Sequence, residues 1–134
     1  VSAGRSASKL SGPQGVWLDS SDGLWVADSF NNRVLYYGRP DQNGQDARVV
    51  LGQPDFTSNI QPAQLSIDYK VENNTMLSPT GVSGDGRRLY VADLGFSRVL
   101  IWNSVPTSNQ ASANVVVAKR PLRAGDRIAA VVQE

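Results

Sequence analysis

The apolar positions of this chain fall into short runs with a period close to two, and no stretch sustains the 3.6-residue recurrence of an amphipathic helix. In Gly15-Val16-Trp17-Leu18-Asp19, Val16 and Leu18 share one face of an extended segment. In the next run Leu24 and Val26 lie on one face, with Trp25 and Ala27 opposite. Arg33 to Tyr37 is apolar or aromatic on both faces, Val34 and Tyr36 on one and Leu35 and Tyr37 on the other. The same succession returns later, as Leu89 and Val91, then Val99 and Ile101 against Leu100 and Trp102. Turn formers stand between the runs. Asp19-Ser20-Ser21-Asp22-Gly23 and Gly84-Asp85-Gly86 separate the first and second strands of each set, and Asp28 to Arg33 and Asp93 to Arg98 separate the second and third. Glycine supplies positive φ in such turns, while Asp and Ser bond nearby backbone. The pattern predicts an all-β chain of short strands. Strands apolar on both faces need cover on both sides, and a small sheet stacked between neighbouring sheets has it.

The chain also aligns with itself. Val26-Ala27-Asp28 matches Val91-Ala92-Asp93 and Arg33-Val34-Leu35 matches Arg98-Val99-Leu100, both at an offset of 65 positions. After each unit comes a third correspondence, DARVVLGQP from Asp46 against SANVVVAKR from Ser112, at an offset of 66. Three blocks in one order at nearly one offset identify a duplication, the signature of a repeat architecture.

The repeated residues resemble the NHL repeat, whose units read as a Pro-x-Gly-Val opening, a Leu-Tyr-Val-Ala-Asp strand and an Asn-x-Arg-Val strand. The first copy has Pro13-Gln14-Gly15-Val16, Leu24-Trp25-Val26-Ala27-Asp28 and Asn31-Asn32-Arg33-Val34. The second has Pro79-Thr80-Gly81-Val82, Leu89-Tyr90-Val91-Ala92-Asp93 and Ser97-Arg98-Val99, with Phe96-Ser97 where Asn31-Asn32 stand. Val49 to Phe56 looks like the extra strand of large bacterial NHL-repeat proteins. The resemblance covers roughly two thirds of the chain and implies β-propeller blades, about two four-stranded antiparallel blades of a partial propeller. It divides the chain into an N-terminal extension (1–9), a first blade with its following strand and long loop (10–75), a second blade (76–117) and a hairpin-like tail (118–134). It also carries the expectation of an extracytoplasmic or secreted protein. Propellers usually have four to eight blades, so either these two belong to a larger propeller or chains assemble, three copies making six. The fragment reading is the favoured expectation, since the chain starts at Val1 and shows no convincing closing strand.

Composition narrows the function. Thirteen basic and twelve acidic residues give a formal charge of +1, unlike the basic footprint of a protein that grips phosphate backbones, so nucleic acid is not an expected partner. The chain has no Cys and no His, which removes thiolate chemistry, imidazole general bases, the Ser-His-Asp triad and His-ligated zinc or iron. No apolar run approaches the roughly 20 residues that span a bilayer.

Asp28 with Arg33, and Asp93 with Arg98, resemble paired catalytic charges at first sight. Their occurrence in both copies points instead to architecture, an acid and a base bridging a turn and holding backbone amides. Asp19, Asp22, Asp41, Asp46, Asp55 and Asp85 are oxygen donors in ordinary Asp-rich turns and form no EF-hand loop, so no metal or other cofactor is expected. Trp17 and the basic tail residues Lys119, Arg120 and Arg123 are the candidate binding surface, although most aromatic residues, Trp17 among them, are expected to pack between sheets. Asn73-Asn74-Thr75 is a formal glycosylation sequon. The expectation is a non-catalytic scaffold that binds a protein, peptide or glycan. The alternatives are two blades of a larger propeller lyase or hydrolase with its active site elsewhere, and a self-assembling structural protein.

Overall fold

The computed structural model describes residues 6–61 and 72–118. Eight strands form two four-stranded antiparallel sheets of blade-like, meandering order. The first contains β1 (Pro13–Leu18), β2 (Leu24–Asp28), β3 (Arg33–Gly38) and β4 (Val49–Leu51). The second contains β5 (Pro79–Gly84), β6 (Leu89–Asp93), β7 (Arg98–Trp102) and β8 (Val115–Val117). Each strand pairs with the next in sequence, so every connection within a sheet is a local hairpin or turn. In each sheet the second and third strands are joined by one turn of 3-10 helix, Ser29–Asn31 and Leu94–Phe96. Both turns end on a non-glycine residue in the left-handed region, Asn32 at φ 54° and Ser97 at φ 50°.

The units share one irregularity and differ in another, since the register shift between Leu24 and Trp25 in the β2–β3 ladder has no counterpart in β6–β7. A register shift interrupts the β1–β2 ladder between Pro13 and Gly15, and the β5–β6 ladder between Pro79 and Gly81. The repeat also extends further towards the N-terminus than sequence similarity reveals. The Ala47 N–H donates to the Ala7 carbonyl at 2.7 Å, and the Ala113 N–H donates to the Asn73 carbonyl at 2.9 Å. Segment 6–10 therefore stands to the first sheet as 72–76 stands to the second. Asn73 also donates its side-chain amide to the Ala113 carbonyl at 2.7 Å, so the asparagine of the sequon is part of this tie.

Period-two alternation gives each sheet two faces. Gly15, Trp17, Trp25, Ala27, Val34, Tyr36, Val49 and Leu51 share what is here called the front of the first sheet. That front packs on the opposite face, the rear, of the second sheet, which presents Val82, Leu89, Val91, Leu100 and Trp102. One continuous core results, closed at its edge by Met76 and Ala113. Trp25 and Tyr36 stack across β2 and β3 with ring centroids 4.5 Å apart and planes tilted by 38°. A smaller cluster lies on the rear of the first sheet, where Val26, Leu35, Tyr37, Ala47 and Val50 are covered by Leu10, Leu24 and Phe56.

Candidate functional site

The four charged residues singled out by the repeat are brought together in two equivalent clusters. Arg33 Nε donates to Asp28 Oδ2 at 2.8 Å, and both side chains are fully buried. The guanidinium continues to three carbonyls, those of Phe56 at 2.7 Å, Ser6 at 3.1 Å and Lys9 at 2.8 Å. Asp28 accepts from the Ser11 N–H at 2.7 Å and from the Asn31 amide at 2.9 Å. In the second copy Arg98 Nε donates to Asp93 Oδ2 at 2.8 Å, and its Nη2 donates to the carbonyls of Glu72 and Thr75, each at 2.8 Å. Asp93 accepts from the Leu77 N–H at 2.8 Å, and Arg98 stacks on Phe96 at 5.1 Å. Burial holds the Asp93 carboxyl above the ordinary carboxylate range, opposed by the adjacent Arg98 guanidinium.

Such a centre is built to hold backbone. Each guanidinium gathers carbonyls from the segment preceding its sheet, and each carboxylate holds an amide at the entrance to the first strand. The sheet, the incoming chain and the 3-10 turn thereby become one rigid corner.

The turn aspartates are committed locally too. Asp19 accepts from the Ser21 and Gly23 amides at 2.9 and 2.8 Å and from the Trp25 indole at 3.2 Å. Asp85 accepts from the Arg87 and Arg88 amides, from Arg88 Nε and from the Tyr90 hydroxyl, and these bonds depress its pKa strongly. Asp55 is held by the Ser58 hydroxyl and by the Thr57 and Ser58 amides, which lower its pKa. Among the described residues no three acidic side chains gather within reach of one ion. Trp17 is half-buried and packs on the core shared by the two sheets, with its ring against Gly84 of β5, so it serves packing between sheets. Lys119, Arg120 and Arg123 lie outside the described residues.

A second group of polar residues, not singled out by the repeat, joins the sheets at the end where the 3-10 turns lie. Asn32 Oδ1 accepts from the Ser78 N–H of the second unit at 2.8 Å, while its Nδ2 donates to Asn59 Oδ1 at 2.8 Å. Asn59 donates in turn to the Phe30 carbonyl at 3.2 Å. The Ser29 hydroxyl donates to the Pro79 carbonyl. Fully buried Gln53 donates to the carbonyls of Asn32 and Ile60 at 3.1 and 3.0 Å and accepts from the Ile60 N–H at 2.9 Å. On this framework Phe30 and Ile60 face solvent at 64% and 61% exposure, and Leu94 in the second 3-10 turn, beside Thr80, Ala92 and Val99, is 62% exposed. Period-two reading could not find them, because they sit in turns and loops that the alternation does not reach.

No family model matches the chain, and no curated protein matches it either.

Proposed function

We propose that the chain is a non-catalytic NHL-type propeller segment that acts as a binding scaffold for a protein or peptide through the end of the sheets bearing the 3-10 turns. The observation that carries this reading is the exposure of Phe30 and Ile60 on a framework stitched by Asn32, Asn59 and Gln53, with Leu94 exposed on the second 3-10 turn. Isolated exposed apolar residues are common, but three large ones held at one rigid end form the kind of anchor set that desolvates on binding. Rigid presentation lowers the ordering cost of association. Aliphatic Ile60 and Leu94 offer neither a stacking face nor a hydrogen bond to a hydroxyl, which favours protein or peptide over glycan. The two buried charge pairs support a non-catalytic role, since their polar atoms are occupied by backbone and by each other.

The test presents the chain to arrays of apolar peptides and of glycans. Peptides with an aromatic or branched aliphatic anchor are expected to bind, and the Phe30→Ser, Leu94→Ser double variant is expected to weaken that binding by about 2 kcal/mol or more, near thirtyfold. Its melting temperature should stay unchanged. Unaltered peptide affinity in the double variant, or selective glycan binding, would overturn the reading.

A further inference from the structure

The edge strand of the first sheet is held from outside at one residue. Val50, in the middle of β4, pairs on its inner side with Leu35. On its outer side the Val50 N–H donates to Asn109 Oδ1 at 3.0 Å, and its carbonyl accepts from the Gln110 N–H at 2.8 Å. Both partners belong to the connection between β7 and β8 in the second unit. Two consecutive residues of one turn thus hold the N–H and the C=O of one strand residue. A sheet edge is otherwise a row of open backbone groups, ready to pair with another chain.

The same turn recurs in the first unit, in the connection between β3 and β4. At the repeat offset, Asn109 and Gln110 fall on Asn43 and Gly44. The two turns match in shape, with Gln110 at φ 54° and Gly44 at φ 68°, both in the left-handed region. Each rejoins its sheet through an equivalent bond. The Asn114 N–H donates to the Ile101 carbonyl at 2.8 Å, and the Arg48 N–H donates to the Tyr36 carbonyl at 2.7 Å. The first turn is also braced from within, since Gln45 donates to the carbonyls of Tyr37 and Arg39 and accepts from the Asp41 N–H. What differs is the partner. Asn109 and Gln110 hold Val50, whereas Asn43 and Gly44 are exposed. Among the described residues no hydrogen bond engages the Asn43 side chain or the Gly44 N–H. Nothing lies within 4 Å of where a Gly44 Cβ would stand, so the turn is open to an incoming chain.

We infer that Asn43 and Gly44 form a binding site for the open edge of an extended polypeptide strand. Asn43 Oδ1 accepts the N–H of one strand residue, and the Gly44 N–H donates to the carbonyl of that same residue. The site therefore reads backbone, and it selects extended chain, in which both groups of one residue point to the same side. The described chain contains a strand of the required kind. Val116 of β8 pairs with Leu100 as Val50 pairs with Leu35, and it is 42% exposed. An edge of this chemistry comes either from β8 of a second copy or from another polypeptide segment. Asn43 and Gly44 belong to the β3–β4 connection and Phe30 to the β2–β3 turn, so the inference does not rest on the proposed function.

The experiment is an NMR titration of the isotopically labelled full chain with a blocked peptide of the Ser112–Val117 sequence, flanked by lysines for solubility. The Gly44 amide and the Asn43 side-chain amide resonances are expected to shift together and to saturate in the millimolar range. The same peptide N-methylated at the Val116 position lacks the N–H that Asn43 accepts and should bind about fivefold more weakly. Asn43→Ala should weaken binding by about fivefold, whereas Asn43→Asp, which keeps an acceptor oxygen, should stay within about twofold. Asn43 is exposed, so each variant should keep the urea midpoint of the unmodified chain. A Gly44 resonance that never moves, or moves equally with the N-methylated peptide, would overturn the inference. So would equal binding by Asn43→Ala. A dilution series without peptide identifies the source of the strand. Gly44 and Val116 amide shifts that change together with chain concentration assign it to a second copy. Constant shifts, with the peptide still bound, assign it to another polypeptide segment, and either result supports the site. Phe30→Ser with Leu94→Ser should leave the titration unchanged, which separates it from the test of the proposed function.

Discussion

Asp28 and Arg33 carry formal charges into a site without solvent exposure, where an isolated charge is costly and a well-bonded pair is tolerated. Their partners show what the arrangement secures: Ser6, Lys9 and Ser11 lie in the segment leading into β1 and Phe56 lies beyond β4, and all are held through backbone atoms. Removing one partner strands the other. Arg33→Ala is expected to lower the unfolding free energy by about 3–5 kcal/mol, measured by urea denaturation. A double-mutant cycle with Asp28→Ala should show a coupling above about 1 kcal/mol. Folded single variants without measurable coupling would contradict the structural role. The pairing itself was legible in the sequence, since an acid and a base recur at both strand ends. The carbonyls they hold were not, because a backbone acceptor leaves no mark in residue type.

The hairpins and sheet contacts make their own predictions at the scale of elements. The β5–β6 turn is built around Asp85, whose bonds depress its folded pKa. A carboxylate so shifted stabilises the fold above its unfolded value of about 3.9, and that contribution disappears as pH falls below it. Urea midpoints followed from neutral pH into acid should therefore fall more steeply for the unmodified chain than for Asp85→Asn, with the two curves converging at low pH. Asp93 acts in the opposite sense. Its raised folded pKa makes its contribution greatest below the unfolded value and lost as pH rises through the folded one. Asp93→Asn should therefore remove an opposing slope rather than add to the one due to Asp85. Between the sheets, Gly15→Ala forces a Cβ against the Thr80 carbonyl and should cost about 1–3 kcal/mol in thermal or urea unfolding. Gly81→Ala, where a Cβ would meet only Ala92 Cβ at 3.6 Å, should change stability by about 0.5 kcal/mol or less. Strand positions and turns were readable here, because period-two alternation and Asp-Gly punctuation are local signals. Segment 6–10 was not readable as part of the repeat, since it is joined to the first sheet through carbonyls and not through recurring side chains.

For the whole molecule, one core connects the sheets, and Trp25 of the first and Trp102 of the second both belong to it. Variants that retain only one of these tryptophans as a fluorescent probe should report a single common unfolding transition, and separate transitions would show that the sheets unfold independently. The sequence by itself determined the all-β class, the two four-stranded units and the pairing of an acid with a base at each second turn. Each of these depends on side-chain alternation, turn chemistry or recurrence along the chain. Only the tertiary structure decided which face of each sheet is covered. Strands apolar on both sides announce that they need neighbours without saying which side meets which, and that choice is made by contacts between residues far apart in sequence, such as Gly15 against Thr80 and Asn32 against Ser78. From it follow the exposure of Val115 and Val117 on the outer face of the second sheet, the packing of Trp17 against Gly84, and the exposed Phe30, Ile60 and Leu94.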